Sequence, residues 1–298
     1  MTEKMATHFG RIAFVGRPNV GKSTLLNHLL GQKISITSRK PQTTRQNIIG
    51  IKTLGDYQMV FVDTPGLHSH ISKQLNRYMN KVAHQALFGV DIIVFIIEAG
   101  VWTNTEEDIL KKIIEAKVPC VLAINKYDLI RDRASLLPFV EDISRKHSFL
   151  SIVPISAKKS YQLDVLEKIL HEHLPLGGHE YTEEMVTDRS ERFLILEIIR
   201  EKIMRFTGEE IPYAVALEIE AYEDTETIVK MSVLIFIEKP NQKSILIGKK
   251  GEKLKQIGTE ARIDIEKMLD KKVLLKLWVK VKEGWSEDAK ALQALGYN

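Results

Sequence analysis

Apolar positions in the first half of the chain come in unbroken blocks of strand length: Ile12 to Val15, Ile92 to Ile97 and Val118 to Ile124. Runs of that length without alternation suit strands covered on both faces. Ile48 to Leu54 and Gln58 to Val62 read as two further strands joined by a turn at Gly55-Asp56, and Ser151 to Ile155 as another. Between the blocks, Thr24 to Leu30, Thr105 to Ala116 and Leu163 to His173 carry helical apolar spacing. Strands alternating with helices predict an α/β domain over residues 1–174, with a doubly wound, mostly parallel sheet. Ile36 to Gln46 is polar and has neither period, so it reads as a mobile loop.

The pattern breaks at Leu174-Pro175-Leu176-Gly177-Gly178, and residues 175–189 read as a linker. Beyond it the order of elements changes. An amphipathic helix from Ser190 to Met204, capped by Asp188 or Ser190, precedes two β-rich runs, Tyr213 to Tyr222 and Thr227 to Glu238. Ser244 to Gly258 suggests two helices meeting at Gly248 and Gly251, and Val273 to Val281 supplies a last strand. This α-β-β-α-α-β order predicts a smaller α+β domain over residues 190–298.

With 298 residues the chain has room for two cores, and 44% hydrophobic and 28% charged residues exclude disorder. The longest apolar run is far too short to span a bilayer, and the first residues lack the apolar core of an export signal, so a cytoplasmic location is expected. The single cysteine, Cys120, cannot form an internal disulfide and lies in an apolar stretch, which suits a buried thiol. Net charge is +4, but Lys239 to Asn298 holds 14 Lys and Arg against 8 Asp and Glu. That basic end is a candidate nucleic-acid surface.

The chemistry centres on Gly16-Arg17-Pro18-Asn19-Val20-Gly21-Lys22-Ser23, followed by Thr24, between a strand and a helix. This is the pattern and the context of a phosphate-binding P-loop. Gly16 and Gly21 let the backbone curl with its N–H groups inward, and the helix N-terminus behind them favours an anion. Lys22 would reach the β- and γ-phosphates and Ser23 would ligate Mg²⁺. The strand ending in Asp63-Thr64-Pro65-Gly66 brings an acid toward the same place, where a contact to Mg²⁺ through water is expected. The pairs His68/His70 and His171/His173 lack the i, i+4 spacing of a helical zinc site. Arg45, Arg77 and His68 are further candidates beside these loops, more simply read as solvated.

The P-loop, Thr43/Thr44, Asp63–Gly66, Asn125-Lys126-Tyr127-Asp128 and Ser156-Ala157-Lys158 stand in the order and approximate spacing of the five motifs of translation-factor-class GTPases, which the chain resembles. The resemblance implies guanine read by Asp128, a loop fixed by Asn125, a base covered by the Lys126 stem, and O6 met by the Ala157 N–H. It also implies catalytic parts in Lys22, Gly66 and a switch threonine that closes on Mg²⁺. Counting leaves Thr43 and Thr44 as alternatives for that ligand, with Thr44 preferred. Leu67 stands where such GTPases as Ras place a water-orienting glutamine, which resembles a subgroup with an apolar residue there. Some P-loop GTPases of that subgroup use an asparagine matching Asn19 to hold K⁺ beside the phosphates.

In the second domain, Gly248-Lys249-Lys250-Gly251 in the α-β-β-α-α-β context resembles a type II KH domain. Such a glycine loop clamps the backbone of about four single-stranded nucleotides. Gly248 and Gly251 would admit the RNA backbone, with Lys249, Lys250 and Lys253 at its phosphates. A GTPase of the TrmE-Era-EngA-like group with a C-terminal type II KH domain resembles the Era family of bacterial GTPases, and the resemblance covers nearly the whole chain. It implies GTP hydrolysis to GDP, binding near the 3′ end of 16S rRNA, a role in 30S subunit assembly, and peripheral association at the inner membrane. Two other readings stay open: an enzyme of nucleotide or tRNA metabolism, and an RNA-binding module with an idle nucleotide site.

Overall fold

The structure is a computed structural model and describes residues 6–38, 40, 43–66, 74–208, 211 and 215–295. Contacts divide the chain into two units: Met1–Ser35, Thr44–His70 and Met79–Asp188 form the first, and Ile36–Thr43, Ile71–Tyr78 and Arg189–Asn298 the second.

Unit 1 contains a six-stranded sheet of β1 (His8–Val15), β2 (Ile48–Leu54), β3 (Tyr57–Asp63), β4 (Ile92–Glu98), β5 (Cys120–Asn125) and β6 (Ser151–Pro154), in the order β2-β3-β1-β4-β5-β6. Only β2 runs antiparallel, because the two-residue turn at Gly55-Asp56 folds it directly onto β3. The helices are α1 (Lys22–Leu30), α2 (Gln74–Gln85, counted in unit 1 from Met79 onward), α3 (Asn104–Ala116), α4 (Leu136–Ser144) and α5 (Leu163–Glu172). Ile92 to Ile97 of β4 are all at most 1% exposed, as an unbroken apolar run requires in a sheet covered on both faces. Each such side chain contributes about 1.5–3 kcal/mol by leaving water. β1 lies between β3 and β4, so the chain order reverses at its C-terminal end, where an open α/β sheet forms its crevice.

The stretch whose composition marks it as a linker is secured along unit 1. Phe9 N–H donates to Pro175 O, Gly177 N–H to Thr7 O, and Ile51 N–H to Val186 O. The Gln58 side chain, fully buried, accepts from the backbone N–H of both Glu180 and Tyr181 at 3.0 Å. Glycine and proline remove helical order there, while β-like pairing with exposed strand edges holds the path.

Unit 2 holds α6 (Glu191–Phe206), β7 (Ala216–Asp224), β8 (Ile228–Ile237), α7 (Pro240–Ile247), α8 (Glu252–Leu269), β9 (Lys272–Val281) and α9 (Ala289–Ala294). Its sheet runs β7-β8-β9, with β7 antiparallel and β9 parallel to β8. Ser190 caps α6 by accepting from Phe193 N–H. Ile195 and Ile199 of α6, Val233 and Ile235 of β8, and Ile257, Ala261 and Ile265 of α8 are fully buried together. Beyond Ile198, α6 departs from simple amphipathicity: Arg200, Glu201 and Lys202 are also buried. Arg200 pairs with Glu197 and Lys202 with Asp264 of α8, so buried charge is matched by charge. Among the described residues no helix is long and apolar enough to cross a membrane.

Candidate functional site

The P-loop leaves β1 and rests on the backbone of β4. A Cβ at Gly16 would stand 2.3 Å from Ile96 O, and at Gly66 2.9 Å from Pro18 N, so both motifs close around the loop only with glycine. Gly21 precedes α1 at φ 105°, a conformation that side chains resist. Inside the loop Lys22 is buried and its ammonium donates to Gly16 O and Arg17 O, each at 3.0 Å. Burial lowers its pKa to about 8, against the opposing pull of Asp63.

Asp63, fully buried at the end of β3, gathers three hydroxyls. Its Oδ2 accepts from Ser23 Oγ at 2.6 Å and Ser35 Oγ at 2.8 Å, and Thr44 Oγ1 lies 3.4 Å away. Thr44 Oγ1 is also 2.9 Å from Ser23 Oγ. Thr43 instead donates to Lys40 O at 2.6 Å, so of the two threonines Thr44 is the one beside Ser23. Burial raises the Asp63 pKa although Ser23, Lys22, Ser35 and Thr44 each oppose the shift. Its second oxygen, Oδ1, is buried and makes no hydrogen bond. Two hydroxyls beside an unsatisfied carboxylate oxygen make a hard-oxygen set that fits Mg²⁺, with Ser23 and Thr44 as holders and Asp63 behind them.

Asn125, at the end of β5, ties the P-loop to the 156–158 segment. Its Nδ2 donates to Val20 O at 2.7 Å and its Oδ1 accepts the Ala157 N–H at 2.9 Å. That N–H, on a buried residue, is thereby satisfied within the chain. Ser156 Oγ donates to Asp128 Oδ1 at 2.5 Å, leaving the rest of that carboxylate as acceptor. Lys126 adopts φ 64°, and its ammonium meets Glu98 Oε2 at 2.8 Å. Arg17 reaches the same Glu98 oxygen at 2.9 Å and the buried Glu106 at 2.8 Å.

Glu98, Glu106 and Ser35 belong to this cluster and are not marked by any motif. Glu98 alone had a signal, an acid closing a buried strand just as Asp63 does. Arg45 is buried and Arg77 is exposed on α2, while Leu67, His68 and His70 lie outside the described residues. His171 packs against Tyr57 with the rings tilted and their centroids 3.8 Å apart. Among the described residues no group of His, Cys, Asp and Glu is placed to hold a metal on its own.

In unit 2, Gly248 (φ 75°) ends α7, Lys250 takes φ 52° and Gly251 (φ 80°) opens α8. A Cβ at Gly248 would meet Lys253 Cβ at 2.7 Å, so Lys253 lies under the turn, while Lys249 and Lys250 are exposed. Beside the turn runs a groove of about 400 Å³ between Gly251, Leu254, Gly258 and Arg262 of α8 and Leu275 and Leu277 of β9. Its lining combines the leucines Leu254, Leu275 and Leu277 with the basic Lys255 and Arg262.

The family model for "50S ribosome-binding GTPase" matches residues 11–126, and that for "KH domain" matches residues 210–286. GTPase Era of Ectopseudomonas mendocina (strain ymp) is 52% identical over 297 residues, covering 100% of this chain and 99% of its own length. The chain belongs to the Era family of GTPases. GTPase Era of Histophilus somni (strain 2336) is 54% identical over 301 residues, with the same two shares. A crystal structure of Era in complex with MgGDPNP and nucleotides 1506–1542 of 16S ribosomal RNA matches with TM-score 0.94 at 39% identity, covering 98% of this chain and 99% of that one. An Aquifex aeolicus Era variant bound to GDP and AlF₄⁻ matches equally well. Era membership accounts for a P-loop sheet and a KH fold in one chain.

Proposed function

We propose that this chain binds GTP with Mg²⁺ at the P-loop, hydrolyses it to GDP and phosphate, and binds 16S rRNA near its 3′ end through the Gly248–Gly251 turn. The observation that carries the nucleotide reading is the cluster of Ser23, Ser35 and Thr44 on Asp63 with one carboxylate oxygen unsatisfied. Mg²⁺ bound there neutralises charge on the β- and γ-phosphate oxygens. Lys22 would exchange its two carbonyl partners for phosphate oxygens, and Gly66, packed on Pro18, would offer its backbone N–H to the γ-phosphate. Asp128 accepts from guanine N1–H and the 2-amino group. Adenine offers neither donor there, so Asp128 keeps Ser156 but gains no partner from the base, and adenine binds less well.

No glutamine follows Gly66, since Leu67 stands there, so the attacking water is oriented by other groups or by a partner. Asn19, in the P-loop at φ 65°, is the residue we assign to a stimulating K⁺; equal turnover in Na⁺ and K⁺ removes that assignment. The Era resemblance supports a place in small-subunit assembly and peripheral contact with the cytoplasmic face of the inner membrane. Co-sedimentation with 30S particles and with anionic vesicles tests the two separately. The deciding experiment is GTP turnover in Lys22→Ala alongside 16S rRNA crosslinking in Lys249→Asp/Lys250→Asp. Loss of turnover in the first and of 3′-end crosslinks in the second is expected. Turnover that survives Lys22→Ala contradicts the hydrolysis reading and leaves an RNA-binding module.

A further inference from the structure

β9 carries different chemistry on its two faces. Val273 and Val279 are buried, and Leu275 and Leu277 line the groove. Lys272, Leu274, Lys276, Trp278 and Lys280 alternate with them, lie on the opposite face of the sheet and are all exposed, Trp278 at 56% and Leu274 at 45%. From Lys271 to Lys282 the chain has five lysines and no acidic residue. β9 pairs with β8 alone, so it is the edge of its sheet.

Lysines on an edge strand discourage pairing with another chain. That role does not call for an exposed indole among them. Trp278 stands in register with Leu234 of β8, which is buried, while Trp278 itself is more than half exposed. The far strand, β7, is acidic: Glu223 pairs with Lys230, and Glu220 with Lys280 at 3.5 Å. Lys271 and Lys280 are thus matched by Asp224 and Glu220 of β7, and Lys272 and Lys276 carry the positive charge of β9, the strand whose other side forms the groove wall.

We propose that the outer face of β9 is a second RNA contact, taken up by single-stranded RNA that continues from the groove over the strand edge. A base stacks on Trp278, and Lys276 and Lys272 meet the flanking phosphates. Stacking tolerates any base, and lysines read only the backbone, so this surface adds affinity without sequence preference. The groove accommodates about four nucleotides, and a longer strand must leave it past one of its walls. This inference rests on the RNA-binding reading of unit 2.

The test uses the full chain and two single-stranded RNAs from the 16S 3′ end, one of about four nucleotides to fill the groove and one about three times as long. Affinities are read by competition against a labelled probe. Trp278→Ala is expected to weaken the longer RNA about tenfold and leave the shorter one unchanged, with Trp278→Phe retaining most of the difference. Lys276→Ala lowers the slope of log affinity against log salt by about 0.7 for the longer RNA only. Thermal unfolding checks the fold, and Trp278→Phe with Lys276→Ala carries the test if the alanine variant unfolds. If Trp278→Ala and Lys276→Ala bind the longer RNA like wild type, the surface does not meet RNA and the proposal is overturned. If Lys249→Asp/Lys250→Asp binds both RNAs like wild type, it is the groove reading that fails.

Discussion

Cys120 starts β5 with its thiol 1% exposed, and burial pushes its pKa up to about 12 from the ordinary 9.0. The folded value is the higher one, so this group's contribution to stability is complete below about pH 9 and is lost as pH rises from there toward 12. Above pH 9 the melting curve should therefore carry a component of about 1.4 kcal/mol per pH unit that disappears in Cys120→Ala. The difference between the two pH–Tm curves isolates it from other alkaline titrations. At pH 8 the native thiol should resist alkylation, and labelling should follow global unfolding. Lys22 presents the opposite sign: its pKa near 8 means that the folded chain holds an ammonium that water would solvate better. Lys22→Ala should leave the nucleotide-free melting temperature unchanged or higher while turnover falls at least about a hundredfold, the scale of losing one preorganised charge contact in a transition state. Both residues were legible in the sequence, one from its apolar neighbours and one from its motif. Ser35 was not, because nothing near it in the sequence announces a partner as distant as Asp63.

At the scale of elements, α3 does two jobs through its first turn. Thr103 caps it by accepting from Thr105 N–H, and Glu106 closes the box by accepting from Thr103 N–H at 2.9 Å. The other oxygen of Glu106 holds Arg17 of the P-loop. Thr103→Ala should cost about 1 kcal/mol in urea unfolding and leave nucleotide affinity alone. Glu106→Ala removes the buried partner of Arg17, which is itself partly exposed and keeps Glu98, and should cost about 1–3 kcal/mol, with weaker GDP binding as Arg17 is released. Equal costs for the two variants would mean that the pair with Arg17 contributes nothing. The strands of unit 1 were legible because unbroken apolar runs have few other uses; their bounds differ by a residue or two, except that β1 starts four residues before the apolar run, at His8. α2 was not: its buried positions, Leu75, Met79 and Ala83, are diluted by a polar majority without a clear start signal. α4 begins after the acidic and basic run Arg131-Asp132-Arg133, which reads as loop.

For the whole molecule, the informative segment is 36–43, read from sequence as a mobile loop because it has no period. Ile36 is 2% exposed, and within unit 2 the Thr37 N–H donates to the buried Glu201 of α6 at 3.1 Å, while Lys40 Nζ donates to Gly208 O at 3.2 Å. Those partners lie more than 160 residues away in the chain, beyond any local pattern. The residues on either side, Ser35 and Thr44, have their hydroxyls at Asp63 in unit 1. A segment whose ends answer to the nucleotide site and whose middle answers to α6 links the two ligands by chain continuity alone. RNA affinity should therefore differ between the GTP-analogue and GDP forms, by a factor within the roughly 5- to 150-fold range of ordinary couplings, and RNA must shift the preference for the two nucleotides by the same factor. Glu201→Gln keeps an acceptor for Thr37 but removes the charge. It should reduce that factor while leaving GDP affinity, and RNA affinity of the GDP form, near wild type. A four-way titration, two nucleotides with and without RNA, reads the coupling directly. A closed cycle with no difference between nucleotides would show that the segment holds α6 in the same way in both states, and the switch would then have to act through residues after Gly66.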